Sequence, residues 1–319
     1  WGGLAAWFAF TMPSAVILFA FAMGAAVFSG PVAEGVLHGL KLVAVAVVAQ
    51  AIWGMSQSLT PDRTRAGIAL AAIAMVVLVG GSFGLIAAIA LGACAGLWLC
   101  RAEVAQVSGH LGFPVTRPAG IVALALFAAF FLIPPVIVPA TGWQALALFD
   151  AFYRAGALVF GGGHVVLPLL QAEVVAPGWI SNETFLAGYG LTQAVPGPLF
   201  TFAAYLGAVA GPAPNGLAGA VIALVALALP GLLLGYGMMP FWDALRARPA
   251  AQAAMRGTNA AVVGILGAAL YNPVFVSAVL TPRDFALALA GFLLLTAWKL
   301  PPWVVVLLLA VAGILARLA

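Results

Sequence analysis

Two clusters of helix-breaking residues interrupt an otherwise apolar chain: Gly161-Gly162-Gly163-His164 and Gln193-Ala194-Val195-Pro196-Gly197-Pro198. A break exposes free N–H groups at a new half-helix N-terminus, where the aligned peptide dipoles favour an anion. In hydrocarbon an unpaired backbone group costs several kcal/mol, so such breaks persist only where protein or a water-filled cavity surrounds them. Two breaks about 32 residues apart in one polytopic chain predict a substrate site for a small anion.

Side chains near the breaks suit that chemistry. His164 falls in the first turn of the following half-helix, where it can donate to an oxyanion or titrate near neutral pH as part of proton coupling. Gln193 supplies amide donors without charge, and Pro198 suits the first turn of the next helix. Arg154 precedes the glycines by about two helical turns, and an intramembrane Arg is a functional candidate by default. Each residue also has a plainer reading. The glycines can serve close helix packing, and the prolines a simple kink. His164 can be a hydrogen-bonded structural residue, Asp150 can neutralise Arg154 four residues on, and Lys41 can snorkel to an interface. The candidate substrate-binding set is Arg154, Gly161, Gly162, Gly163, His164, Gln193, Pro196, Gly197 and Pro198, with Lys41 and Asn259 added by the repeat described below.

The elements that must position these residues are membrane helices. The 319 residues are 65% hydrophobic and 6% charged, against about 25% charged in a soluble domain. The fold class is therefore all-α, a polytopic integral membrane protein with broken or re-entrant helices. Apolar windows predict spans near 4–29, 35–57, 66–80, 82–100, 119–138, 215–240, 257–279, 284–299 and 302–318, with helix again from about 145 into the broken stretch. Gly80-Gly81 alone joins two of them and predicts a tight hairpin. No basic cluster suggests nucleic acid. Cys94 and Cys100 share one apolar segment, so neither a disulfide framework nor a metal site is expected. No nucleotide-binding, hydrolase or metalloprotease motif occurs, so neither an enzyme, a cofactor nor an ATP-driven pump is expected.

Residues 3–100 laid against 220–318 suggest an internal repeat. Pro13 meets Pro230, and Gly39, Val45 and Trp53 meet Gly257, Val263 and Tyr271 at one constant shift. Lys41 then lies on Asn259 and His38 on Arg256, and paired polar positions fit a site at a repeat interface. The basic loop 59–65 in the first set and 241–256 in the second fall at non-equivalent places, so an inverted-topology repeat is expected, with both loops cytoplasmic. The expected domains are an incomplete N-terminal repeat over 1–118, a linker helix over 119–143 and a C-terminal repeat over 144–319. The chain begins at Trp1, and the repeat predicts a missing counterpart of the broken stretch, about 70 residues, ahead of it. Parity requires the central stretch to cross an even number of times, as two full passes or as re-entrant hairpins.

The motifs FGGGHVVLPLLQAEVV at 160–175 and GYGLTQAVPGPLFTFAAYLGA at 188–208 resemble the chromate ion transporter family. The second repeat is similar at lower specificity, and Trp1–Phe28 looks like the segment that follows the N-terminal motif region in two-domain members. The first-domain counterpart, an FGGP-type motif and a second break, is absent here. The resemblance implies a multi-pass secondary transporter of the bacterial inner membrane that exports chromate, with oppositely oriented halves. The driving force is expected to be the membrane potential or a proton gradient. A carrier of sulfate or another small oxyanion is the alternative, since chromate and sulfate share shape and charge. The expected partners are such an oxyanion and the lipid bilayer, with a homodimer as a candidate assembly and no nucleic acid.

Overall fold

A computed structural model describes residues 2–25, 30–101, 115–160 and 162–318. Among these the chain is all-α, without a strand, and six helical stretches are long and apolar enough to cross a membrane. The protein is a polytopic membrane protein, as its composition predicts.

The first four helices are α1 (Gly2–Ala25), α2 (Pro31–Leu59), α3 (Arg63–Val79) and α4 (Gly81–Leu99). The tight hairpin is present: Gly80, at φ 69°, is the one residue between α3 and α4, and that backbone region favours glycine. Asp62 caps α3 by accepting from the Arg65 backbone N–H at 2.8 Å. That bond, with the Arg65 side chain, holds the Asp62 carboxyl below the usual carboxylate range. Most of the next connection, 102–114, lies outside the described residues.

The expected linker span is divided at Ile133 into α5 (Arg117–Leu132) and α6 (Pro134–Thr141). Pro134 and Pro135 have no N–H to continue the α5 ladder but suit a first turn. The broken stretch contains α7 (Gln144–Ala157), a 3-10 turn at Gly163–Val165, α8 (Val166–Val174), α9 (Asn182–Thr192), a second 3-10 turn at Leu199–Thr201 and α10 (Phe202–Val209). Then follow α11 (Gly216–Met238), α12 (Trp242–Arg246), α13 (Pro249–Ala269), α14 (Val276–Ala278), α15 (Pro282–Thr296) and α16 (Pro302–Leu318). Two features differ from expectation. α13 starts at Pro249, so Arg256 lies within the helix and donates to the Cys100 carbonyl at 3.1 Å. The span expected to run to 279 is kinked at Asn272 (φ −127°, ψ 115°), because an extended residue is what a following proline, here Pro273, prefers.

The chain forms two compact units, neither a contiguous segment. The first comprises Trp1–Gly54, Val166–Leu224 and Ala269–Ala319. Its centre is α2, where every residue from Leu42 to Val48 is buried; a helix apolar on all sides is a core element. α2 meets α16 backbone to backbone. A Cβ on Gly35 would stand 2.7 Å from the Ile314 Cα, and one on Gly39 2.7 Å from the Ala310 Cα. Small residues allow this approach, and dispersion rewards it where lipid offers no hydrophobic gain.

The second unit comprises Met55–Val165 and Val225–Ala268 and is built around α13, buried throughout from Ala260 to Leu266. α13 crosses α4 with the same intimacy: a Cβ on Gly257 would stand 2.6 Å from the Gly96 Cα. An aromatic cluster of Phe127, Phe130, Phe131, Phe149 and Tyr153 joins α5 to α7, and the Tyr153 hydroxyl donates to the Phe127 carbonyl at 3.0 Å. The shift that lays Gly39 on Gly257 also lays one buried run on the other.

Candidate anion site at the helix breaks

The second break is the tip of a hairpin of two short helices. α9 has 11 residues and α10 has 8, so at 1.5 Å per residue they reach only about 17 and 12 Å, short of the roughly 30 Å hydrocarbon core. The two helices pack side by side and antiparallel. Phe202 stacks edge-on against Phe185 and Tyr189 at 5.2 and 5.8 Å, and the Tyr205 hydroxyl donates to the Thr184 carbonyl at 3.4 Å. The Tyr205 ring fills the space a side chain at Gly188 would need.

The hairpin tip meets α1 near its midpoint. The Ser14 hydroxyl donates to the Pro196 carbonyl, and Ser14 lies in the middle of a 24-residue helix. Gly197 takes φ 148°, and a Cβ there would overlap the Ser14 side chain, so glycine is required twice over. α9 packs on α2 through Gly190, whose missing Cβ would stand 2.9 Å from the Leu40 carbonyl carbon. Lys41 is the next residue, half-buried and without an ion pair among the described residues. At the tip Pro198 precedes the Leu199–Thr201 turn, and its carbonyl accepts from the Thr201 hydroxyl at 2.8 Å. The Gln193 amide nitrogen is buried with no hydrogen-bond partner among the described residues.

The first break has a matching neighbour in the second unit. α7 crosses α11 at Gly156, where a Cβ would stand 3.1 Å from the Leu227 carbonyl carbon and 3.2 Å from Pro230 Cγ. Pro230 is the residue that the expected repeat lays on Pro13, which precedes Ser14. Arg154, in the last turn of α7, holds its guanidinium over the Phe131 ring, 5.1 Å from the centroid, a cation–π contact. Beyond α7, Gly162 stands open, with only Met55 Sδ within 4 Å of a built Cβ, at 3.9 Å. Close packing therefore explains Gly156 and leaves Gly162 unexplained. Gly163 and His164 form the 3-10 turn that leads into α8, and Gly161 lies outside the described residues.

Among the predicted residues, the first unit gathers Gln193, Pro196, Gly197, Pro198 and Lys41; the second holds Arg154, Gly162, Gly163, His164 and Asn259, the last half-buried on α13. Among the described residues no group of three potential metal ligands occurs and no disulfide joins Cys94 or Cys100. Neutral donors and single cations can hold an anion; they do not make an acid–base pair. Sequence reading missed Ser14, although the polar residues Thr11 and Ser14 flank Pro13 in an apolar helix and mark that position.

Comparison with known proteins agrees with this chemistry. The chain is 34% identical over 173 residues to a chromate transport protein of Pseudomonas aeruginosa, covering 52% of this chain and 40% of that protein. It is 28% identical over 200 residues to a probable chromate transport protein of Synechococcus elongatus, covering 61% and 48%. An uncharacterized transporter of Methanocaldococcus jannaschii matches over 249 residues at 24% identity, covering 77% and 60%. The chain thus spans about half the length of the curated relatives it matches. No solved structure matches. The sequence profile of the family described as "Chromate transporter" matches residues 1–97 and 146–314, both motif-bearing stretches included, and the chain belongs to the chromate transporter family.

Proposed function

We propose that the protein is a secondary transporter that exports chromate across the bacterial inner membrane, driven by the membrane potential or a proton gradient. The observation that carries the reading is the hairpin of short helices whose tip, Pro196–Gly197, meets Ser14 halfway along α1, a helix long and apolar enough to cross a membrane. A backbone break at mid-membrane depth is costly unless it serves a cavity or a ligand. In the first unit the Gln193–Pro198 segment presents half-helix donors to the dianion, with Lys41 as a positive partner; in the second unit Gly162, Gly163 and His164 present donors to an anion, with Arg154 as a positive partner and Asn259 as the expected repeat counterpart of Lys41. Family membership and the chromate transport proteins of P. aeruginosa and S. elongatus support chromate as substrate. One negative charge leaving an inside-negative cell gains about 2.3 kcal/mol per 100 mV, and a dianion about twice that, so potential alone suffices to drive export.

The inverted repeat supports the same mechanism, since related halves of opposite orientation allow alternating access around a fixed site. Its support is the coincidence of the buried runs in α2 and α13 and the equivalent crossings of α16 by Gly39 and of α4 by Gly257. The repeats comprise 1–118 and 144–319 with a linker over 119–143, and the Arg-bearing segments 59–65 and 241–256, the latter taking in α12 and the start of α13, face the cytoplasm. The test is chromate accumulation by inside-out vesicles carrying the full chain, with sulfate as competitor. Potential-driven chromate uptake above that of empty vesicles supports the reading; sulfate uptake without chromate uptake replaces the substrate; uptake of neither removes transport.

A further inference from the structure

Thr11 has a hydroxyl that its surroundings leave unused. The residue is 1% exposed, yet its Oγ1 is buried with no hydrogen-bond partner among the described residues. Four other threonines, within helices or at their ends, close onto the carbonyl four residues back: Thr60 onto Ser56 at 2.9 Å, Thr141 onto Ile137 at 3.0 Å, Thr192 onto Gly188 at 2.8 Å and Thr296 onto Phe292 at 2.7 Å. That local bond is the default for Thr in an apolar helix, and Thr11 does not make it. A buried hydroxyl without a partner costs stability, and such exceptions call for a functional reason.

Its location supplies one. Thr11 and Ser14 are three residues apart on α1 and so share a face. Ser14 on that face holds the Pro196 carbonyl, and a Cβ on Gly197 would stand 3.7 Å from the Phe10 carbonyl oxygen. The Phe10–Ser14 turn is thus the wall against which the hairpin tip rests. At the same tip the Gln193 amide nitrogen is the other buried donor without a partner among the described residues.

We propose that Thr11 is a substrate-contact residue: its hydroxyl and the Gln193 amide donate to oxygens of the transported tetrahedral oxyanion, while Ser14 is a positioning residue that fixes the tip. This rests on the transport reading above. It assigns to α1 a share of the site that the sequence motifs place wholly on the broken stretch. An ionised oxyanion offers acceptors on every side, so two donors from different helices can be satisfied at once. A hydrogen bond to a charged group also exceeds one between neutral groups.

The experiment compares wild type, Thr11→Val and Thr11→Ser, each as the full chain in inside-out vesicles, by the concentration dependence of chromate uptake. Thr11→Val keeps the volume and deletes only the hydroxyl. Expected is normal abundance, with KM for chromate raised about ten- to hundred-fold, and recovery of most of that loss in Thr11→Ser. A structural hydroxyl predicts otherwise: removing an unpartnered buried group leaves transport intact and the protein at least as heat-resistant. A Thr11→Val protein within about twofold of the wild-type KM overturns the proposal while the wild type still transports. So does equal loss in Thr11→Val and Thr11→Ser. If the wild type itself moves no oxyanion, the transport reading fails instead, and this inference with it. Should Thr11→Val not reach the membrane, Thr11→Ala carries the same comparison.

Discussion

His38 Nε2 lies 2.6 Å from Oδ1 of Asp284, tying the N-terminal part of α2 to the first turn of α15. The other oxygen of Asp284 accepts from the Leu280 and Thr281 backbone N–H groups, at 3.1 and 2.9 Å, and from the Thr281 hydroxyl at 3.0 Å, closing a capping box. Asp284 is 5% exposed, so both its oxygens are satisfied by named donors. The two substitutions should therefore be unequal. His38→Ala removes one bond, of about 0.5–1.5 kcal/mol between neutral groups and more if charged. Asp284→Ala removes that bond and the helix cap, itself about 1 kcal/mol. Thermal unfolding in detergent should show a clearly larger loss for Asp284→Ala than for His38→Ala. Equal losses would mean that the histidine contact carries no stability of its own.

Gly39 and Gly257 should tolerate not even a methyl group. At Gly39 the nearest atoms to a built Cβ are the backbone of Leu309 and Ala310; at Gly257 they are the backbone of Gly92 and Gly96. Backbone cannot rotate away as a side-chain tip can, and overpacking costs typically 1–3 kcal/mol. A Cβ on Gly54, in the same helix as Gly39, would meet nothing within 4 Å among the described residues, and there alanine should be neutral or stabilising by up to about 1 kcal/mol. Gly39→Ala and Gly257→Ala should each reduce membrane abundance and heat resistance while Gly54→Ala does not. Similar behaviour of all three would show that the crossings have slack.

Much of this architecture is legible in the residues. Composition alone gives an all-α membrane protein, and Gly80-Gly81 gives the α3–α4 hairpin. Pro196-Gly197-Pro198 gives a break where one is found. Other features depend on which helices become neighbours, which no local pattern encodes. Gly156 and Gly161–Gly163 read alike as glycines, yet Gly156 meets the Leu227 carbonyl while Gly162 faces open space. Ser14 and Thr11 read as ordinary small polar residues until the hairpin tip is found against them. Arg256 reads as a loop cation because it follows a polar stretch, and the helical start offered by Pro249 outweighs that signal.

Because Gly162 has room around it, a side chain there tests function with little penalty to folding. Gly162→Leu should reach the membrane at near-normal abundance and lose most chromate transport, since the added atoms occupy space the anion needs and shield nearby N–H groups. Gly156→Leu is the contrast, because its Cβ would meet the Leu227 carbonyl and Pro230, and it should fail at the level of abundance. Near-normal transport by a well-expressed Gly162→Leu protein would reduce the glycines to a structural role.

The last prediction separates two roles for Arg154. Its guanidinium stacks on Phe131, 5.1 Å from the ring centroid, so the aromatic cluster of α5 and α7 orients it independently of Asp150, one turn away on the same helix face. If Arg154 serves only to balance Asp150, the double change Asp150→Asn with Arg154→Gln leaves no uncompensated charge. Both abundance and transport should then match wild type. If Arg154 contacts the oxyanion, the double mutant should be abundant yet bind chromate about ten- to hundred-fold more weakly, the equivalent of about 1.5–3 kcal/mol for one charge-assisted hydrogen bond. The second outcome is expected, because Arg154 sits on the helix that runs into the glycine break and a half-buried intramembrane cation is held at a cost. Phe131→Leu should then weaken chromate binding by a smaller factor, since it leaves the charge in place and removes only its orientation, a contact of about 0.5–2 kcal/mol. A double mutant with wild-type affinity for chromate would take Arg154 out of the site and leave Lys41 as the cation to test next.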